Sequence, residues 1–139
     1  MTAFIFGAGY SGRAFGKRLA ARDIPVHGTT RSPEKCDALR ADGIVPHVFE
    51  GALSEDIAAA LGESTHLVVS IAPGAEGDPV LNGLPDTIAS MPELEWIGYL
   101  STVGVYGDHD GAWVDEETAC RPVSERSVQR VAAETAWRD

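Results

Sequence analysis

Three glycines near the amino terminus stand where a chain could grip a diphosphate. In Phe6-Gly7-Ala8-Gly9-Tyr10-Ser11-Gly12-Arg13 the residues Gly7, Gly9 and Gly12 have the spacing G-x-G-x-x-G. Each has a separate job. Gly7 allows a tight turn off a strand. Gly9 has no Cβ, so a pyrophosphate can approach the backbone. Gly12 lets the new helix pack closely. The helix start at Tyr10 and Ser11 then offers free N–H groups and a partial positive charge to the phosphates. A glycine triplet alone is often an ordinary turn. Here it opens the chain, follows an apolar run and precedes an amphipathic stretch over 11–22.

A second cluster bears on which dinucleotide would be held. An acid after the second strand would bind the ribose hydroxyls of NAD, and a basic residue there would accept the extra phosphate of NADP. The sequence has Thr29-Thr30-Arg31-Ser32, with no acid. One guanidinium and three hydroxyls suit a phosphate. A charged hydrogen bond is worth about 1.5–3 kcal/mol, so Arg31 alone would favour NADP by about ten- to a hundredfold. Arg13 is a second candidate for that phosphate and Lys35 a third. The expected cofactor is NADP, with NAD as the alternative. The bland alternative, a solvated loop arginine, stays open for Arg31. His109, between two aspartates, has the chemistry to titrate or to bind a metal, but a lone His in an acidic loop is usually just exposed. His27, His47 and His66 lack ligand spacing, and no metal is expected.

These residues need a scaffold that brings strand ends together. Apolar runs alternate with helical patterns along the whole chain, which implies a parallel sheet with helices on both faces. Strands are expected over 3–6, 25–29, 45–49, 66–71 and 96–101. The run 66–71 is nearly all apolar, as a central parallel strand should be. Helices are expected over 11–22, from the Ser32-Pro33-Glu34 start to Ala41, from Ser54-Glu55 to Gly62, and from Asp78-Pro79 onward. Pro85 should split that fourth helix before Met91. Ser124-Glu125 begins a last helix with Val128, Val131, Ala132, Thr135 and Trp137 on one face. The fold class is a Rossmann-type, doubly wound α/β domain spanning 1–139. Its five strands take the order 3-2-1-4-5, and its crevice lies at the carboxyl ends of strands one and four.

Composition narrows the partners. The 139 residues carry a net charge of −10, unevenly placed. Residues 1–40 hold seven Lys/Arg against three Asp/Glu, whereas residues 41–120 hold none against fifteen. An acidic body argues against nucleic acid or anionic membrane as a partner, and the basic first third suits an anionic cofactor. No apolar run approaches a membrane span, and Met1 leads straight into the first strand, which leaves no room for a signal peptide. The two cysteines, Cys36 and Cys120, are far apart and read as ordinary thiols. A cytoplasmic location is expected. A complete doubly wound fold would add a sixth strand after the last helix. The expectation is therefore either that strand five is a true edge or that this is the front portion of a longer protein, and an apolar edge strand there would self-associate or meet a further segment.

With the glycine turn in place, Leu100-Ser101-Thr102-Val103-Gly104-Val105-Tyr106-Gly107-Asp108 resembles the Ser-Ser/Thr-x-x-Val-Tyr-Gly stretch of the extended short-chain dehydrogenase/reductases, the epimerase and dehydratase group. The runs 77–81 and 121–127 look more like an atypical branch, the YeeZ-like NAD(P)-binding proteins. Phe6 stands where the extended group usually has another glycine. The resemblance implies that Thr102 takes the place of the catalytic Ser/Thr and hydrogen-bonds the reacting oxygen. It makes Tyr106 a structural or substrate-facing residue. It also implies that Ser70, Ala72 and Pro73 run along the cofactor, and Phe49 and Glu50 are candidate adenine neighbours. A strand-end threonine bonded to backbone remains the alternative for Thr102. The family also needs a Tyr-x-x-x-Lys on the last helix. That pair cannot exist here, because the only lysines are Lys17 and Lys35. Losing a positioned acid/base costs about 10²–10⁴ in rate. Arg126 and Arg130 lie on that helix as substitutes, or as a solvated face.

Three functions follow from these residues. The first is an NADP-dependent oxidoreductase or epimerase-like enzyme acting on a small carbonyl or sugar-like substrate. The second is a non-catalytic NAD(P) sensor lacking the Tyr/Lys pair. The third is a fold retained without function.

Overall fold

The computed structural model describes residues 1–139. Five strands, β1 (Ala3–Phe6), β2 (Val26–Thr30), β3 (Val45–Val48), β4 (His66–Val69) and β5 (Trp96–Tyr99), form one sheet in the order β3-β2-β1-β4-β5. Every pairing is parallel. β1 sits at the centre with all four residues buried. An Ala-Phe-Ile-Phe run can do this because both of its faces are covered, so no alternation with polar residues is needed.

Six helices complete the fold: α1 (Tyr10–Ala20), α2 (Cys36–Ala41), α3 (Glu55–Gly62), α4 (Pro79–Gly83), α5 (Pro85–Ala89) and α6 (Glu125–Arg138). The alternating side chains of the strands feed two cores. Phe4, Phe6, Leu67 and Val69 pack with Ile57 and Leu61 of α3 and with Val80 and Ile88 of α4 and α5. Ala3, Ile5 and Val68 pack with Leu19 of α1 and Leu39 of α2 on the opposite face. Gly16 permits this second contact. A Cβ there would lie 2.8 Å from Ile44 Cδ1 and 3.1 Å from Ile5 Cδ1.

Expected and observed elements differ at their ends. Strands β4 and β5 close at Val69 and Tyr99, two residues short of expectation; after β4 the chain turns into a cleft that Ser70, Ile71 and Ala72 line. Pro85 splits the fourth helical segment into α4 and α5. Asp78 caps α4, its Oδ1 accepting from Val80 N–H at 2.9 Å and Leu81 N–H at 3.1 Å. Ser32 and Ser54 precede helical segments without a side-chain cap. The last helix is turned part-way from the apolar face expected of it: Val131 and Trp137 stay half-buried, Trp137 against the first core, but Ala132 and Thr135 are exposed. Ser127 and Ala133 are buried, while Val128 is 51% exposed. Polar anchors set this rotation. Arg130 donates to Leu100 O at 2.5 Å, and Trp137 Nε1–H donates to Asp78 Oδ2 at 3.1 Å.

Two of the histidines meet inside the first core. His47 Nε2 lies 3.0 Å from His27 Nδ1, and His47 Nδ1 lies 2.6 Å from an Asp56 carboxylate oxygen. The Phe4 ring stacks on both imidazoles. Hydrogen bonds from Ser54 and His47 hold the Asp56 carboxyl down at about 2, and burial pushes His27 below its usual value. The three side chains form a hydrogen-bonded relay across β2, β3 and α3. No helix is long and apolar enough to cross a membrane.

Candidate functional site

The carboxyl ends of β1, β2, β3 and β4 frame a cleft of about 800 Å³. Its floor is the bend Gly7-Ala8-Gly9, and its walls come from 29–32, 49–51 and 70–72. This is the crevice between β1 and β4, where the strand order reverses.

Each glycine of the motif is explained by a distance. Gly7 has φ +87°, and a Cβ on it would lie 2.9 Å from Ile71 Cγ1. Gly12 is buried under the bend, where a Cβ would sit 2.5 Å from the Gly7 carbonyl oxygen and 3.0 Å from Ile5 Cγ2. Gly9 is different, because a Cβ there would meet nothing within 4 Å. It faces open space in the cleft, just before α1, and supplies no side-chain cap to that helix. The first-turn amides of α1 therefore lack a side-chain acceptor, the condition under which a helix start takes an anion.

The bend is held from outside itself. Thr29, buried at the end of β2, accepts Gly7 N–H on its hydroxyl at 2.8 Å and Ala8 N–H on its carbonyl at 2.8 Å. That hydroxyl accepts the amide and keeps its own O–H to donate, so a pinning role is added to its place among the three expected hydroxyls. Thr30 Oγ1 accepts Ser32 N–H at 3.1 Å and shapes the loop carrying Arg31. Sequence reasoning grouped Thr29 with the phosphate contacts. A strand-end Thr facing the glycine turn was the available signal for its pinning role.

The remaining candidates divide. Thr30, Arg31, Ser32 and Lys35 line the cleft, as do Phe49, Glu50, Ser70 and Ala72. Phe49 is buried and packs edge-on against Phe6, with centroids 5.1 Å apart. Pro73 falls outside the lining, and Pro79 of α4 contributes instead. Tyr10 and Arg13 line an adjoining cavity, and Ser11 and Gly12 line neither. Arg13 is engaged by Asp42 through its Nε–H at 2.5 Å, so a phosphate would have to compete with that carboxylate for it.

Thr102 and Tyr106 lie apart from the cleft lining. Thr102 Oγ1 accepts Gly104 N–H at 3.4 Å and caps the short 3₁₀ turn Val103–Val105. That is the backbone role that sequence left open for it. Tyr106 is half-buried, and its carbonyl accepts His109 Nε2–H at 3.0 Å. No group of three or more His, Cys, Asp or Glu is placed to hold a metal. Of the two helix arginines, Arg126 is exposed and Arg130 lies over the Tyr99 ring, 5.8 Å from its centroid. Burial pushes the Tyr99 phenol above its usual value, with Arg130 opposing.

No protein-family model matches the sequence, and no curated protein matches it. Solved structures match well. A functionally unknown conserved protein from Silicibacter pomeroyi is 44% identical over 98% of this chain, with a TM-score of 0.86, and this chain covers 48% of it. Gre2 from Candida albicans, solved with NADPH, is 18% identical over 99% of this chain and 52% of its own, with a TM-score of 0.77. A dTDP-glucose 4,6-dehydratase from Bacillus anthracis, solved with NAD, is 17% identical over 98% of this chain and 49% of its own, also at 0.77. The structural neighbours are short-chain dehydrogenase/reductases and epimerase/dehydratases, and the shared part is the five-stranded Rossmann sheet. The chain spans about half the length of these proteins.

Proposed function

Taking that shared sheet as premise, we propose that this chain binds a nicotinamide dinucleotide across the Gly7–Gly12 bend, with NADP preferred over NAD. It would serve an atypical short-chain dehydrogenase/reductase acting on a small carbonyl or sugar-like substrate. The observation that carries the reading is the bare bend itself. Gly9 leaves its side of the cleft empty, and uncapped α1 amides stand beside it. A cofactor fits these residues: the diphosphate at Gly7–Gly9, and the adenosine end between Arg31, Phe49 and Glu50. Arg31 and Lys35 carry no ion pair, which leaves two cations for a phosphate on the ribose. When bound, the nicotinamide would supply hydride transfer. The chain's own part is to hold and orient the dinucleotide.

A second reading is favoured by particular residues. The lysine of Tyr-x-x-x-Lys is missing, and Thr102 caps its own backbone turn outside the cleft. These features support a binding module that senses NAD(P) without turnover.

Thermal shift tests the binding. NADPH is expected to raise the melting temperature more than NADH does, and Arg31→Ala is expected to abolish the difference. No shift with either cofactor would refute binding. Nicotinamide absorbance followed across a carbonyl panel then separates the readings: turnover supports the enzyme, and binding without turnover supports the sensor.

A further inference from the structure

The cleft has a neighbour on the α1 side of the bend. A second cavity of about 450 Å³ opens beside it, and Arg13, Lys17, Lys35 and Asp42 line it. Ala8, Gly9 and Lys35 line both cavities, so the two meet across the bend. Three cations face this space, yet two of them are engaged. Arg13 Nε–H donates to Asp42 Oδ2 at 2.5 Å, and Lys17 Nζ lies 3.0 Å from Asp42 Oδ1. The geometry is asymmetric. The Asp42 side chain is 10% exposed, while those of Arg13 and Lys17 are 45% and 66% exposed. Asp42 is the fixed partner, and the two cations reach over to it from α1.

Its position has a local cost. Asp42 follows the last residue of α2, where the carbonyl end of a helix disfavours an acid. The hydrogen bonds from Arg13 and Lys17 offset this and hold the carboxyl below the usual carboxylate range. Asp42 is therefore charged throughout the neutral range, and the pair stays formed whenever nothing competes for it.

We infer that Asp42 is a specificity-determining latch. It occupies Arg13 and Lys17 when the bound dinucleotide has no phosphate on its adenosine ribose, and it must yield them when that phosphate is present. The inference rests on the dinucleotide reading above and adds a residue that acts against the preferred cofactor. A ribose phosphate carries about −1.5 to −2 charge and several strong acceptors, against one charge on a carboxylate. It can draw Arg13 away from Asp42, but the carboxylate left behind then repels it. A dinucleotide without the phosphate disturbs nothing. The latch narrows the gap between the two cofactors, and its removal widens it.

Calorimetry with NADPH and NADH on the wild type, Asp42→Asn, Arg13→Ala and the double variant tests this. Asp42→Asn is expected to tighten NADPH by about three- to fivefold, the ordinary worth of an exposed ion pair, and to leave NADH unchanged. The gain should vanish in the double variant. A gain shared by both cofactors, no gain, or a gain that survives Arg13→Ala would overturn the latch. A second arm uses adenosine 2′-monophosphate, which has no diphosphate for the bend. Asp42→Asn should tighten it by a similar factor, and an unchanged affinity sinks the latch. If the wild type binds neither dinucleotide while Asp42→Asn still tightens the monophosphate, the dinucleotide reading falls and the cofactor latch falls with it, leaving only a competition between Asp42 and a phosphate for Arg13 and Lys17.

Discussion

Gly9→Ala separates binding from folding at a single methyl group. The new Cβ would meet no heavy atom within 4 Å, so the free protein has room for it. The backbone there has φ −82°, outside the left-handed region that only glycine adopts easily. Folding stability should hold. The methyl group nevertheless projects into the space a diphosphate must enter to reach the bend. Losing one charge-assisted amide contact costs about 1.5–3 kcal/mol, or about ten- to 150-fold in affinity. The assay pairs urea unfolding of the free variant with NADPH titration followed by fluorescence. The expected result is an unchanged midpoint and a dissociation constant raised at least tenfold. If affinity stays within twofold of the wild type, no phosphate lies at Gly9, and the placement of the cofactor is wrong.

Gly12→Ala should give the opposite pattern. Its Cβ would sit 2.5 Å from the Gly7 carbonyl oxygen, so overpacking should cost about 1–3 kcal/mol, visible as a lower urea midpoint without any ligand. The His27–His47–Asp56 relay predicts an acid-sensitive fold in two limbs. His27 titrates lower in the folded chain, so the unfolded chain takes up its proton first. Stability should fall once the pH drops below about 6.5 and level off when folded His27 itself protonates. Asp56, held at about 2, adds stability above its unfolded value near 3.8 that is lost as the pH falls toward 2. With Asp56 largely exposed, this second limb is worth about 1 kcal/mol or less. Urea midpoints against pH check both limbs, and a His27→Gln variant that keeps the upper limb would disprove its assignment.

The parts of this molecule readable from sequence are those that depend on near neighbours along the chain. An apolar run followed by Gly7-Ala8-Gly9 states both a strand end and a bend, and right-handed crossovers then fix the strand order. Pro85 announced the break between α4 and α5 for the same local reason. What stayed hidden were pairings across long separations. The occupation of Arg13 depends on Asp42, twenty-nine residues away. The rotation of α6 depends on Trp137 reaching Asp78, fifty-nine residues away. An apolar periodicity over Val128 and Val131 could not compete with those anchors, so the helix buries Ser127 instead. His27 and His47 have no ligand spacing in sequence, yet adjacent strands set them side by side. Thr102 was ambiguous for a local reason, since the same hydroxyl can serve a substrate or the turn just after it.

Thr29 carries a consequence for how quickly the site could fill. Because one residue of a neighbouring strand grips both Gly7 and Ala8, the cradle exists before any guest arrives. A receptor cast in advance needs no closing movement at its floor. Its loading rate would then follow diffusion and the charge at the cleft mouth, where Arg31 and Lys35 carry no ion pair, and for an anion it should fall with added salt.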